Sequence, residues 1–171
     1  NTEKLRWLNQ HYIKNTESQK LAEMLQHFIH ERFYNTDNGP DLLDVLKLYQ
    51  ERCSTLAELA EEIHFLYDDF DEYNARLEKK QFKEATLPIL ESLKQQYQEL
   101  DDWTAEAIHH VVENTVNTLG VGFGKVGQPL RLAVTGHGKS PSIDVTLELL
   151  GKRRTLKRLD RAIAYIKSNN A

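Results

Sequence analysis

Residues 101–120 read DDWTAEAIHHVVENTVNTLG. Thr104 is placed to cap a helix, because its hydroxyl can accept an N–H that the first turn leaves unpaired. Gly120 is placed to stop it, since glycine enters the left-handed region at no steric cost. Reading outward, the same signs recur. In LPILESLKQQYQEL, residues 87–100, Pro88 falls near a helix start, where a missing N–H loses no bond. Thr55 and Glu58 are spaced as a capping box that opens LAELAEEIHFLY. NGPDLLDVLKLYQERC has Gly39, then Pro40 near a helix start, then Leu42, Val45, Leu46 and Tyr49 at helical spacing. Leu21, Met24, Leu25, Phe28 and Ile29 mark an earlier stripe, and Leu5, Leu8, Tyr12 and Ile13 one before it. Near the end, RTLKRLDRAIAYIK puts Leu156, Leu159, Ile163 and Ile166 on one face, with Lys157, Arg158, Arg161 and Lys167 on others. The fold class is all-α, read as two consecutive helical bundles. Residues 68–85, charged and weakly patterned, read as the connector between them.

The texture changes after Gly120. GVGFGKVGQPLRLAVTGHGKSPSID, residues 120–144, carries most of the glycines and predicts a turn-rich loop region. The alternation in LRLAV allows a strand, which Pro129 and the flanking glycines keep from being long.

Length and composition bound the rest. A chain of 171 residues with 40% hydrophobic and 28% charged side chains suits one domain or two small ones with a real core. A mean hydropathy of −0.60 predicts a soluble globular protein. No apolar run approaches the ~18 residues of a bilayer span, and no basic-then-apolar leader opens the chain. It begins at Asn1 rather than Met, which suggests a piece of something longer. Cys53 stands alone, so an internal disulfide and a multi-cysteine zinc site are excluded and a reducing compartment is expected. The net charge of −4 hides an asymmetry. Residues 120–171 hold 10 Lys/Arg against 3 Asp/Glu, and residues 1–119 hold 12 against 23. A basic end on an acidic body predicts a localised contact with a polyanion.

Two glycine patterns invite a nucleotide-binding reading. AVTGHGKS fits a loosened phosphate loop, and GFGKVG, residues 122–127, fits Gly-x-Gly-x-x-Gly. Both fail on context. A phosphate loop needs a buried strand before it and a helix starting at the Gly-Lys-Ser. Here Pro141 follows Ser140, removes an N–H and pushes Ser140 toward extended backbone. GFGKVG follows a long helix rather than a strand.

Other constellations are weaker. His27 and His30 lie three apart without an evident third metal ligand. His109 and His110 point about 100° apart on a helix. Asp68, Asp69, Asp71 and Glu72 lack the spacing and the glycine of a calcium loop. Cys53 has no evident base. Trp7 and Trp103 read as core anchors at helix starts. No active site emerges. Arg52, in ERCSTL, ends a helix. It complements the helix C-terminus, or its planar fork reads a base edge.

Taken together, KLRWLNQHYIK, GPDLLDVLKLYQERCSTL, DWTAEAIHHVV, GKVGQPLRLAVTG, SPSIDVTLELLGK and RTLKRLDRAI resemble the C-terminal half of bacterial glutamyl-tRNA synthetases. The likeness runs from about residue 4 to residue 167, in order and with spacing kept. It implies the anticodon-binding region of an enzyme that joins glutamate to its tRNA at the expense of ATP. The family's catalytic domain lies N-terminal, and its signature motifs are absent from these residues. The resemblance thus implies no catalytic residue, metal or cofactor here, with ATP and magnesium belonging to the catalytic domain. It implies an opening segment 1–15 that ends the bridge to that domain, a first helical subdomain 16–70 and a second 71–171.

The likeness also implies residue roles. Arg52 stands where the family places an arginine that contacts the third anticodon base and favours tRNA for glutamate over tRNA for glutamine. Arg131 matches an arginine at the anticodon loop. Ser140, Pro141, Ser142 and Ile143 match the loop against the anticodon bases. Lys125, Lys139, Arg153 and Arg154 are suited to the salt-dependent attraction of phosphates. The implied partners are the anticodon stem-loop of tRNA for glutamate and the catalytic domain of the same chain, in a cytoplasmic monomer that needs no membrane. The competing reading is an all-α protein-interaction module that keeps the fold without RNA specificity.

Overall fold

The computed structural model describes residues 12–170. The readings of Leu5, Trp7, Leu8 and most of the opening helix fall outside that range. Among the described residues every regular element is helical, and the chain divides into two compact units, residues 1–69 and 70–171.

In the first unit, α1 (Ser18–Arg32) packs on α2 (Leu42–Tyr49) and α3 (Leu56–Ile63), and a short 3₁₀ turn, His64–Leu66, follows. Leu21, Leu25, Ile29, Val45, Leu46, Leu59, Ile63 and Leu66 have no exposed surface. Caps set the helix starts. The Asp41 carboxylate accepts from the Leu43 N–H at 2.9 Å, and the Thr55 hydroxyl accepts from the Glu58 N–H at 3.0 Å. The Glu58 carboxylate returns to the Ser54 N–H at 2.9 Å, one residue upstream of the expected box. Gly39 is required by a close approach: a Cβ there would lie 2.3 Å from the Tyr67 ring and 2.6 Å from the Leu66 carbonyl. The Gln50 amide donates to Ile13 O at 2.7 Å and Thr16 O at 3.0 Å, tying the helical residues 12–15 to the end of α2.

In the second unit, α4 (Ala75–Gln81) precedes a 3₁₀ turn, Glu84–Thr86, and then α5 (Leu87–Gln98), α6 (Ala105–Leu119), α7 (Phe123–Thr135), α8 (Ile143–Leu150) and α9 (Lys152–Asn169). Helix α9 lies along α5 and α7, while α6 packs on α5, α7 and α8. Leu90, Leu93, Tyr97, Ile108, Val112, Val126, Leu130, Leu147, Leu159 and Ile166 form the core between them. Thr104 caps α6 by accepting from the Ala107 N–H, and Gly120 ends it at φ 65°.

Three expectations need correction. The glycine-rich segment is not a loop containing a strand over most of its length, because residues 123–135 form α7. Val126, Pro129, Leu130, Ala133 and Val134 are buried at helical spacing, so packing outweighs the helix-breaking tendency of the proline and glycines. The turn narrows to residues 136–142, where Gly136 and Gly138 have φ of 75° and 78°. The connector 68–85 contains α4, started by the Asn74 side chain accepting from the Leu77 N–H. Finally, Arg158 does not face outward; it is 3% exposed and belongs to the inner stripe of α9.

Candidate nucleic-acid interface

The loop 136–142 is built from its ends inward. At the close of α7 the Thr135 hydroxyl donates to Arg131 O and accepts from the Gly138 N–H, at 2.7 and 2.8 Å. The Gly136 carbonyl accepts from the Asn74 N–H at 2.8 Å. Gly136 also sits on the Phe70 ring, where a Cβ would come within 2.7 Å, so the loop has an aromatic floor. That floor is clamped by two cations, with the Arg158 and Arg161 guanidinium carbons 5.1 and 4.8 Å from the Phe70 centroid. Arg158 also donates to Val134 O at 2.6 Å, satisfying a carbonyl the end of α7 leaves without a helical partner.

On this frame Arg131 donates through Nε to the Ser140 hydroxyl at 2.9 Å, and that hydroxyl donates to Pro141 O at 2.7 Å. Two candidate residues nine positions apart are thereby joined. His137 Nδ1 accepts from the Lys139 N–H at 2.9 Å, which leaves the ring proton of a neutral His137 on Nε2. Ser142 is exposed and makes no side-chain cap bond to α8. Pro141, within the loop, and Ile143, which opens α8, are both buried, so neither presents an open apolar surface.

The remaining cations are spread out. Lys139 is exposed within the loop. Arg154 lies one turn before Arg158 on α9, half-buried, with Arg153 exposed beside it. Lys125 is in the first turn of α7, about 15 Å along the axis from its C-terminal end. Its charge is therefore remote from the loop.

Arg52 belongs to the first unit, exposed in the turn after α2, with its N–H donating to Tyr49 O at 2.9 Å. The neighbouring Cys53 is 1% exposed, and its Sγ lies 3.1 Å from the Glu62 carboxylate. Burial and that carboxylate push the thiol pKa well up, and the Arg52 charge offsets this only in part. Cys53 is therefore a protonated donor and not a nucleophile. His27 pairs with Glu31 at 3.0 Å and His30 with the Thr36 hydroxyl at 3.0 Å. No metal-binding cluster occurs among the described residues, and no described helix is long and apolar enough to cross a membrane.

Sequence reasoning missed the supports, Phe70, Asn74 and Arg158. Asn74 carries a readable signal, a capping side chain three residues before Leu77. For Phe70 and Arg158 the chain offers no local signal, because their contact closes across 88 positions.

A family model described as an anticodon binding domain matches residues 20–163. The fold is similar to that of a glutamate tRNA ligase from Elizabethkingia meningosepticum, solved in complex with its amino acid. The TM-score is 0.84 at 25% identity, over 96% of this chain and 32% of that one. A glutamate-tRNA synthetase from Elizabethkingia anophelis shares the fold with a TM-score of 0.80 at 24% identity, over 96% and 32% of the two chains. This chain thus spans about a third of the length of either enzyme. With the model covering most of its length, the chain belongs to the anticodon binding domain family.

Proposed function

We propose that this chain is the anticodon-binding part of a glutamate–tRNA ligase and binds the anticodon stem-loop of tRNA for glutamate. A catalytic part on the same polypeptide, in a cytoplasmic monomer, would supply ATP- and magnesium-dependent chemistry. The observation that carries the reading is the Arg131–Ser140 contact, which ties a polar, glycine-containing loop to α7 in a domain of this family. Unstacked loop bases are read by hydrogen bonds to their edges from such short polar groups. Ser142 presents an exposed hydroxyl, Ser140 offers the remaining lone pair of its bonded hydroxyl, buried Pro141 and Ile143 stiffen the loop, and Arg131 bonds a base or a phosphate. Lys139, Arg153 and Arg154 hold nearby phosphates, and Lys125 holds one farther along the stem. In the first unit, Arg52 carries a planar fork suited to the third anticodon base.

A binding titration against tRNA for glutamate, beside a variant changed at the third anticodon base, tests this directly. Parent protein is expected to bind the first RNA more tightly, with affinity falling as salt rises. In Arg52→Gln the difference between the two RNAs is expected to shrink by about tenfold, the worth of one bidentate base contact. A parent that binds both RNAs equally loses the anticodon reading, and an Arg52→Gln variant that keeps the full preference removes Arg52 as the reader.

A further inference from the structure

The segment 68–85, which the sequence presents as a charged connector, holds a cationic helix face beside the candidate loop. Helix α4 is ARLEKKQ, residues 75–81. At 100° per residue, Arg76, Lys79 and Lys80 fall within an arc of about 100°, and Leu77, Glu78 and Gln81 occupy the other side. The burial follows that division: the three cations are exposed and the other three side chains are partly covered. Glu78 is the helix's one carboxylate, and it is turned inward to accept a hydrogen bond from the Tyr165 hydroxyl. The outer face is left with positive charge alone. None of its three cations is paired with a carboxylate among the described residues.

The helix is also fixed to the loop. The residue that caps it, Asn74, donates its N–H to Gly136 O at 2.8 Å, and the Leu77 side chain fills the space over Gly138, 2.3 Å from where a Cβ would stand. Helix α4 packs against α7, which carries Arg131. The cations therefore belong to an element that moves with the loop.

We propose that Arg76, Lys79 and Lys80 form a second RNA contact, a phosphate-tracking face that grips the sugar-phosphate backbone flanking the anticodon bases. The inference rests on the RNA-binding reading above and adds a site to it. Its occupant is RNA backbone because the face offers three exposed charges at helical spacing and no apolar or aromatic group on which a base or a peptide would seat. Such contacts supply affinity and salt dependence without sequence preference.

The test is the triple variant Arg76→Gln, Lys79→Gln, Lys80→Gln, titrated with labelled tRNA for glutamate and its third-base variant over a salt series. Each phosphate contact contributes roughly 0.7 to 0.9 to the slope of log K against log salt, so loss of three is expected to flatten the slope by roughly 2 to 3. Both RNAs should weaken by the same factor, leaving the ratio between them unchanged. Far-ultraviolet circular dichroism should match the parent, since only exposed side chains change. An unchanged slope in a folded triple variant overturns the inference while leaving anticodon binding intact. So does a variant that loses base preference but keeps its salt dependence. A parent that binds no tRNA removes the underlying reading and this site with it.

Discussion

Arg158 shows how one side chain can serve a loop it never enters. Its guanidinium is buried, donates to Val134 O and lies over Phe70, the ring on which Gly136 rests. Arg158→Met would leave that carbonyl without its donor and remove one side of the Phe70 clamp. A loss of about 1–3 kcal/mol is expected, read from the denaturant midpoint, since an unsatisfied buried acceptor costs that much. Cys53 gives a second prediction at this scale. Its raised pKa means that the folded protein holds the thiol proton more tightly than the unfolded chain does. The stabilisation is complete below about pH 8.5, the free-thiol value, and is lost as pH rises through the folded value. Cys53→Ser is expected to flatten the alkaline limb of the stability curve. The native thiol should also resist alkylation at pH 8 relative to urea-unfolded chain, measured by mass spectrometry.

At the scale of elements, two glycines with positive φ carry different costs for a side chain. Gly120 and Gly136 have φ of 65° and 75°, but a Cβ at Gly120 would meet open space and one at Gly136 would strike Phe70. Gly120→Ala is expected to cost about 1 kcal/mol from the left-handed backbone alone. Gly136→Ala should cost more, because its ψ of −31° lies outside the left-handed well and a packed ring must also yield, and it should weaken RNA binding through the loop. Thermal melts of the two variants check the order, and equal costs would mean that the backbone at 136 relaxes and Phe70 gives way freely. The same elements explain what was legible in the chain. The caps at Thr55 and Thr104 and the stop at Gly120 act through groups within a few residues, so local reading placed them well. Helix α7 is not legible locally because Gly124, Gly127 and Pro129 are signals against a helix, whereas the burial of Val126, Leu130 and Val134 that overrides them is set by α6 and α9. Helix α4 leaves no periodic trace in the sequence, because seven residues with one leucine give no period to detect. Of the candidate site, the Arg131–Ser140 pairing needs a turn whose shape the sequence does not specify, and the support from Phe70 lies too far along the chain.

For the whole molecule, charge is divided by position: residues 120–171 carry 10 Lys/Arg against 3 Asp/Glu, and residues 1–119 carry 12 against 23. Under the proposed function, such a division leaves most phosphate contacts to particular faces of the second unit, with Arg52 of the first unit on a base, since the chain as a whole is negative and would repel a polyanion. Position along α7 then separates two kinds of contact that composition cannot. Lys125 sits about 15 Å along the helix from the end that bears the loop. Lys125→Gln is expected to lower the salt slope by roughly 0.7–0.9, one phosphate's worth, with no change in the ratio between tRNA for glutamate and its third-base variant. Arg131→Gln differs in kind. It removes a cation that is also the donor to Ser140, so the slope should fall by a similar amount and the loop should lose its polar anchor as well. Binding should then weaken beyond the charge effect, and the excess should persist at high salt, where the phosphate contribution is screened. Titrations of both variants at low and high salt measure that excess. If Arg131→Gln and Lys125→Gln prove indistinguishable at both, Arg131 acts only as a point charge and the Ser140 loop is held without it.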